Sequence, residues 1–233
     1  MLNNMKTLMN EGKCDELMHL AFYHDNFTSS DSELKQVAEV YEYLIDKGYG
    51  IAANNLGSMH YCGRYFKRNI LKAIHYYEIA REMGEPLAWP NLGCCYYYEL
   101  KDYQKAFEIF AEGAALFREP ECLYMLGDMY KNGYHVEKSG VKSFELYKRA
   151  LQAVDIDDER ENNLQGDILC RIGETLVSTG DEKDALEGLK ALYRGLSYLY
   201  SRLHENSFVD AEINKYKALI QETETFLECN YQS

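Results

Sequence analysis

Proline is scarce: 3 residues in 233, against 16 glycines. That balance excludes a collagen-like chain, argues against a β-sandwich and favours helices separated by glycine turns. Long apolar runs are missing as well. No stretch approaches the roughly 20 consecutive apolar residues of a membrane-spanning helix. The start, Met1-Leu2-Asn3-Asn4-Met5-Lys6, lacks the basic-then-apolar order of a secretory signal. A cytoplasmic protein without a membrane partner is expected. Basic residues are the minority, 25 Lys and Arg against 38 Asp and Glu, for a formal charge of −13. Such a chain does not suit the phosphates of a nucleic acid, so no nucleic-acid partner is expected. Cysteine is present in an odd number, seven, at irregular spacing. Reduced thiols, some filling small core sites, are expected in place of a disulfide framework.

Chemical signatures are also lacking. There is no His-Glu-x-x-His, no Cys-x-x-Cys, no Gly-x-Gly-x-x-Gly, no phosphate loop and no Gly-x-Ser-x-Gly. His60 and Cys62 stand two apart, so on a helix they do not face each other. The adjacent Cys94 and Cys95 would form only a strained disulfide there. Catalytic residues, metal ligands and cofactors are all expected to be none. The sequon Asn26-Phe27-Thr28 is taken as a chance match.

What the chain does have is repetition. Gly12, Gly48 and Gly84 follow helical runs at 36-residue intervals. A second marker, Leu20-Ala21, Leu56-Gly57 and Leu92-Gly93, keeps the same interval and continues at Leu126-Gly127 and Ile172-Gly173. The offsets after Gly57 and Gly127 agree residue by residue: His60 with Tyr130, Gly63 with Gly133, Phe66 with Val136, Lys72 with Lys142, Ala73 with Ser143, Tyr77 with Tyr147, Ala80 with Ala150. Asn69 and Ser139 stand where the second helix of each pair needs an N-cap. A glycine inside a helix costs about 0.5–1 kcal/mol relative to alanine. Its recurrence at one place therefore implies a close helix crossing, with Ala73, Ala106, Ser143 and Ala185 as the small residues on the opposite helix. A single hairpin of this size cannot bury its apolar face, so neighbouring hairpins stack.

The pattern Leu-Gly-x-x-Tyr-x-x-Gly, followed by Lys-Ala-x-x-Tyr-Tyr-x-x-Ala, resembles the Sel1-like repeat, a relative of the tetratricopeptide repeat. Residues 126–133 match it best. Leu56 to Gly84 is nearly as good, whereas Leu92 to Phe117 has a shorter loop without the glycine. The resemblance implies an all-α fold, a right-handed α–α superhelical solenoid closed by a C-terminal capping helix. The expected organisation is a single domain over 1–233: an N-terminal helix at 1–12, repeats at 13–48, 49–84, 85–118, 119–162 and 163–205, and the cap at 206–233. The acidic run Val154–Glu161 lengthens one repeat and is expected as a solvated loop and helix start.

The resemblance also implies that first helices line a concave groove. Counted from the marker glycine, its places fall on Asn54, Ser58, Tyr61, Tyr97, Tyr98, Tyr124, Asp128 and Lys131. Tyrosine offers a rigid contact with a polar tip and is enriched at binding hot spots. Trp89, four before Gly93, is expected in the core. His24 and His60, 36 apart, are expected to replace packing tyrosines, with contact between them as the alternative. The function implied is a non-catalytic scaffold that grips a peptide or protein segment, a basic one given the acidic balance. A bacterial immunity-type protein that neutralises a toxin is the alternative, followed by an enzyme or metal protein. The residues do not set the oligomeric state.

Overall fold

Helices begin and end where local chemistry requires. The computed structural model describes residues 2–27, 30–155, 157–202 and 207–231. Thr28 of the sequon, Ile156 of the acidic run and His204 lie outside the described residues, as do the side chains of Glu159, Arg160 and Glu161. The described residues are helical, without a strand, and fall into two compact units, Met1–Ile109 and Phe110–Ser233.

The first unit holds α1 (Leu2–Glu11), α2 (Cys14–Phe27), α3 (Asp31–Ile45), α4 (Gly50–Cys62), α5 (Ile70–Glu82), α6 (Ala88–Cys94) and a π-helix, π1 (Cys95–Leu100). Helix α7 (Tyr103–Leu116) runs across the boundary. The second unit holds α8 (Pro120–Asn132), α9 (Gly140–Ala153), α10 (Glu159–Val177), α11 (Glu182–Ser201) and α12 (Ser207–Tyr231). Successive helices pack as antiparallel pairs, α4 on α5, α8 on α9 and α10 on α11.

Gly63 and Gly133 end α4 and α8 in the left-handed conformation, at φ 76° and 75°. A side chain there would be strained, and glycine is not. The loops that follow fold back identically: Asn69 N–H donates to the His60 carbonyl and Ser139 N–H to the Tyr130 carbonyl, both at 2.9 Å. Asn69 and Ser139 then cap the second helices, accepting from Lys72 N at 3.0 Å and Lys142 N at 3.3 Å. Each cap is worth about 1 kcal/mol.

The cores follow the small-residue expectation. Ala73, Ala106, Ser143 and Ala185 are buried, as is Trp89. In the first unit Leu17, Val37, Tyr41, Leu44, Leu56 and Met59 form one cluster. In the second, Cys170, Leu192 and Leu199 meet Val209, Ile213, Tyr216, Ile220 and Leu227. The spacing of those α12 residues, in steps of three, four or seven, puts one face of the last helix onto α11. His60 is stacked between Phe66 and Tyr76, ring centroids 4.1 and 5.4 Å away, while His24 lies edge-on to Tyr23. The acidic run begins as a turn: Asp157 N–H donates to the Asp155 carboxylate at 3.0 Å, just before α10.

One feature lay outside any expectation. After Gly93 the first helix of its pair passes into π1, ended by Lys101 at φ 56°. A π-turn accommodates an extra residue relative to an α-turn. Asp102 then caps α7 by accepting from Lys105 N at 3.0 Å, which is why this repeat manages with a two-residue link.

Candidate functional site

The repeat fixes its first-helix face through one tyrosine. A Cβ on Gly57 would stand 2.7 Å from Tyr77 Cε1, and one on Gly127 2.5 Å from Tyr147 Cε1. The absent side chain lets each ring lie against its glycine. The hydroxyl then reaches the next residue of the first helix. Tyr77 and Ser58 share a hydrogen bond of 3.1 Å, and Tyr147 donates to Asp128 Oδ1 at 2.5 Å. Two of the expected groove residues, Ser58 and Asp128, are thus oriented by the second helix of their own pair.

In the first unit, neighbouring first helices are tied by polar pairs. Asn91 Nδ2 donates to Asn54 Oδ1 at 2.8 Å, from α6 to α4. The Tyr61 hydroxyl donates to Glu99 Oε1 at 3.1 Å, from α4 to π1. Arg68, in the loop after α4, reaches the same oxygen at 2.8 Å, donates through Nε to the Tyr61 carbonyl at 3.0 Å, and lies 5.3 Å from the Tyr61 ring centroid. Arg68 holds the Glu99 carboxyl below its ordinary range. Arg64 from the same loop pairs with Asp25 of α2, at 3.1 Å from Oδ1, and also donates to its carbonyl. Asp25 is buried with Tyr41. Burial raises its carboxyl, against the opposing effect of Arg64 and the Tyr41 hydroxyl. The π-helix spreads three consecutive tyrosines: Tyr96 and Tyr97 are buried and Tyr98 is 48% exposed. Tyr97 meets Tyr98 and Tyr103 edge-on, at 4.7 and 5.4 Å.

In the second unit the expected residues join a charged network. Arg171 of α10 donates to Asp128 Oδ1 at 3.0 Å, to Glu174 Oε2 at 3.3 Å and to the Tyr216 hydroxyl of α12 at 3.0 Å. Lys131 Nζ stands 2.7 Å from Glu174 Oε2, and Lys215 Nζ of α12 stands 3.1 Å from Oε1. Burial would lower the Arg171 guanidinium, but Tyr124, Asp128, Tyr216 and Glu174 outweigh it and hold it above its ordinary value. Burial would raise Glu174, but Lys131 and Lys215 hold it at about 2. Burial also pulls the Lys131 ammonium down in spite of Glu174. Tyr124 sits with its ring 5.9 Å from Tyr147, and burial pushes its phenol well above the ordinary value.

Of the eight expected residues, Asn54, Ser58, Tyr61, Tyr97 and Tyr98 share the first unit, and Tyr124, Asp128 and Lys131 the second. The structure brings Tyr61 to π1 through Glu99, and Asp128 to Lys131 through Arg171 and Glu174. Glu99, Arg68, Asn91, Arg171, Lys215 and Tyr216 were missed. A signal for two of them existed. Asn91 and Arg171 both stand two before a marker glycine, and both bond back to the preceding first helix. Among the described residues no group of three His, Cys, Asp or Glu could hold a metal, and no helix is long and apolar enough to cross a membrane.

The repeats and the fold have known counterparts. The Sel1 repeat family matches residues 50–85, 91–116 and 120–155. Sel1 repeats generally mediate protein–protein interactions, and repeats of this kind are generally non-catalytic scaffolds. A Sel1 repeat protein from Oxalobacter formigenes is 16% identical and similar in fold, with a TM-score of 0.59 over 95% of this chain and 99% of that one. The protective antigen c5321 of uropathogenic Escherichia coli, with an SLR fold, is 17% identical, with a TM-score of 0.56. That match covers 99% of this chain and 59% of the antigen. At these identities the likeness is of fold alone: an all-α solenoid of helical hairpins. No curated protein sequence matches the chain.

Proposed function

We propose that this Sel1-repeat protein is a non-catalytic scaffold that binds a basic protein segment on the first-helix face of its first unit. The observation that carries this reading is Tyr98. It is a large aromatic left about half exposed by a π-helix, beside buried Tyr97 and within one residue of Glu99. A tyrosine held rigidly by its neighbours loses little entropy when it is covered by a partner. The acidic balance of the chain supports a partner carrying Lys or Arg. Seven free cysteines suit the cytoplasmic placement expected from the sequence. Asp128 and Lys131 act as ties between helices in this reading, and the main contact moves to Tyr61 and Tyr98, with buried Tyr97 backing the Tyr98 ring.

The test is affinity capture from the native host with wild type and Tyr98→Ala, each at low and high salt. A partner retained by wild type, lost with Tyr98→Ala and weakened by salt is the expected result. Equal capture by both proteins would remove the first-unit face from consideration. The helical circular dichroism of Tyr98→Ala should match wild type, because an exposed side chain contributes little to the core.

A further inference from the structure

We propose that Tyr61 and Glu99 form a guanidinium site that Arg68 occupies in place of an arginine from the bound partner. It rests on the first-helix face being a protein-binding surface, and it names the partner group that docks there. The geometry is that of a built receptor for a planar cation. The Tyr61 ring supplies an aromatic face, with the Arg68 guanidinium carbon 5.3 Å from its centroid. The Tyr61 carbonyl accepts from Arg68 Nε, and Glu99 Oε1 pairs with Arg68 NH2 at 2.8 Å. The Tyr61 hydroxyl steadies that carboxylate at 3.1 Å. Ring, carbonyl and carboxylate together match the stacking and forked donation that distinguish arginine from lysine.

Arg68 fills this receptor incompletely. It spends Nε on a backbone carbonyl and meets Glu99 through a single oxygen, while among the described residues Oε2 accepts no hydrogen bond. Bidentate pairing, the stronger mode, is left unused. The Arg68 side chain is 50% exposed, and it stands in a loop between two capped helices. The contrast with Arg64 is informative. Arg64 enters from the same loop but pairs with an Asp25 side chain only 12% exposed, and so belongs to the interior. An exposed pair such as Arg68–Glu99 is weak and can be exchanged at little cost. A partner arginine arriving on Tyr61 would use both Glu99 oxygens and release Arg68 to solvent. The adjacent Tyr98 would cover the incoming chain.

The experiment titrates full-length protein with N-acetyl-arginine methylamide, and separately with N-acetyl-lysine methylamide, following the Tyr61 ring and Glu99 carboxyl resonances by NMR. In Arg68→Ala the arginine probe should shift both resonances saturably, with an affinity at least threefold above wild type and above the lysine probe. Adding Glu99→Gln should abolish that gain. Equal response in wild type and Arg68→Ala, or no preference for arginine, overturns the assignment. If Arg68→Ala loses helical circular dichroism, Arg68→Gln keeps the apolar stem and takes its place under the same criteria. Failure here, together with loss of capture by Tyr98→Ala, would leave the scaffold reading standing. The opposite pair of results would sink that reading and leave only an arginine-selective pocket at Tyr61 and Glu99, without the partner arginine proposed for it.

Discussion

Replacing Gly127 by alanine tests the helix-crossing geometry of the repeat. On propensity alone the change should help, because alanine is favoured over glycine inside a helix by about 0.5–1 kcal/mol. The structure says otherwise. The new Cβ would meet Tyr147 at 2.5 Å from Cε1, 2.7 Å from Cδ1 and 3.1 Å from Cζ. The ring cannot swing aside, since Tyr147 is fully buried and its hydroxyl is held by Asp128 at 2.5 Å. Overpacking of this kind costs about 1–3 kcal/mol. Subtracting the propensity gain leaves a net loss of up to about 2.5 kcal/mol, equivalent to a fall of up to roughly 10 °C in Tm for a chain of this size. Gly140→Ala is the internal control. It lies at the start of α9, and an added Cβ there has no atom within 4 Å, so its Tm should stay level or rise. Urea unfolding of both variants, followed by far-ultraviolet circular dichroism, supplies the comparison. If Gly127→Ala is as stable as Gly140→Ala, the glycine is not at a helix crossing and the frame fails.

Three further outcomes follow from the same packing. Arg171→Ala strands a carboxylate on Asp128 that is 10% exposed and should cost about 3–5 kcal/mol; combining it with Asp128→Asn should recover part of the loss in urea melts, and an additive double variant would deny the coupling. His60 is buried with Nδ1 unbonded, and burial lowers its pKa. Its neutral form is therefore favoured in the folded state, so its contribution is complete above the unfolded value of about 6.5 and is lost as pH falls toward the lower folded value. His60→Tyr, which installs the residue found at the matched Tyr130, should flatten stability against pH in that window, whereas an unchanged slope would place the acid sensitivity elsewhere. Glu174, held at about 2, acts at lower pH in the same sense: its stabilisation is complete above the ordinary carboxylate range and disappears as pH drops toward 2. The stability of Glu174→Gln should therefore fall less steeply than that of wild type as pH drops from the ordinary carboxylate range toward 2, read from urea melts followed by circular dichroism.

The fold was legible because it rests on short-range chemistry. Gly57 and Gly127 mark crossings, Asn69 and Ser139 accept from the third residue onward, and Gly63 and Gly133 end their helices, all of it visible at fixed offsets. The candidate site was legible only as a set of places. Periodicity predicts which residues stand on the first helix, not which are covered from outside it. Tyr124 and Tyr98 occupy groove places, yet Tyr124 packs beside Tyr147 while Tyr98 emerges. The difference at Tyr98 arises from π1, and a single extra residue in a turn leaves no pattern in composition. The pairing of Arg171 with Tyr216 escaped for another reason. The two stand 45 residues apart and meet across α10 and α12, and the last helix carries none of the repeat motif from which a register could be counted.

The two units put matched first-helix places to different uses, and the local charges explain the division. In the second unit Asp128 is met by Arg171, and Glu174 by Lys131 and Arg171, in pairs that are largely screened from solvent, with half-exposed Lys215 added at the edge. A basic partner would have to break such pairs and leave a desolvated charge behind, which is costly. In the first unit the face is built of asparagine and tyrosine, and Glu99 is held by a half-exposed arginine that water can replace. The net charge of −13 draws a basic partner from a distance, but that pull is screened beyond about 8 Å at physiological salt. Contact with Tyr61 and Glu99 is much shorter in range. Added salt should therefore slow association for wild type and Tyr98→Ala alike, whereas the loss caused by Tyr98→Ala should appear mainly in dissociation and persist at high salt. Surface plasmon resonance of the captured partner separates the two, and a Tyr98→Ala effect confined to the on-rate would contradict the contact-range role given to the tyrosine.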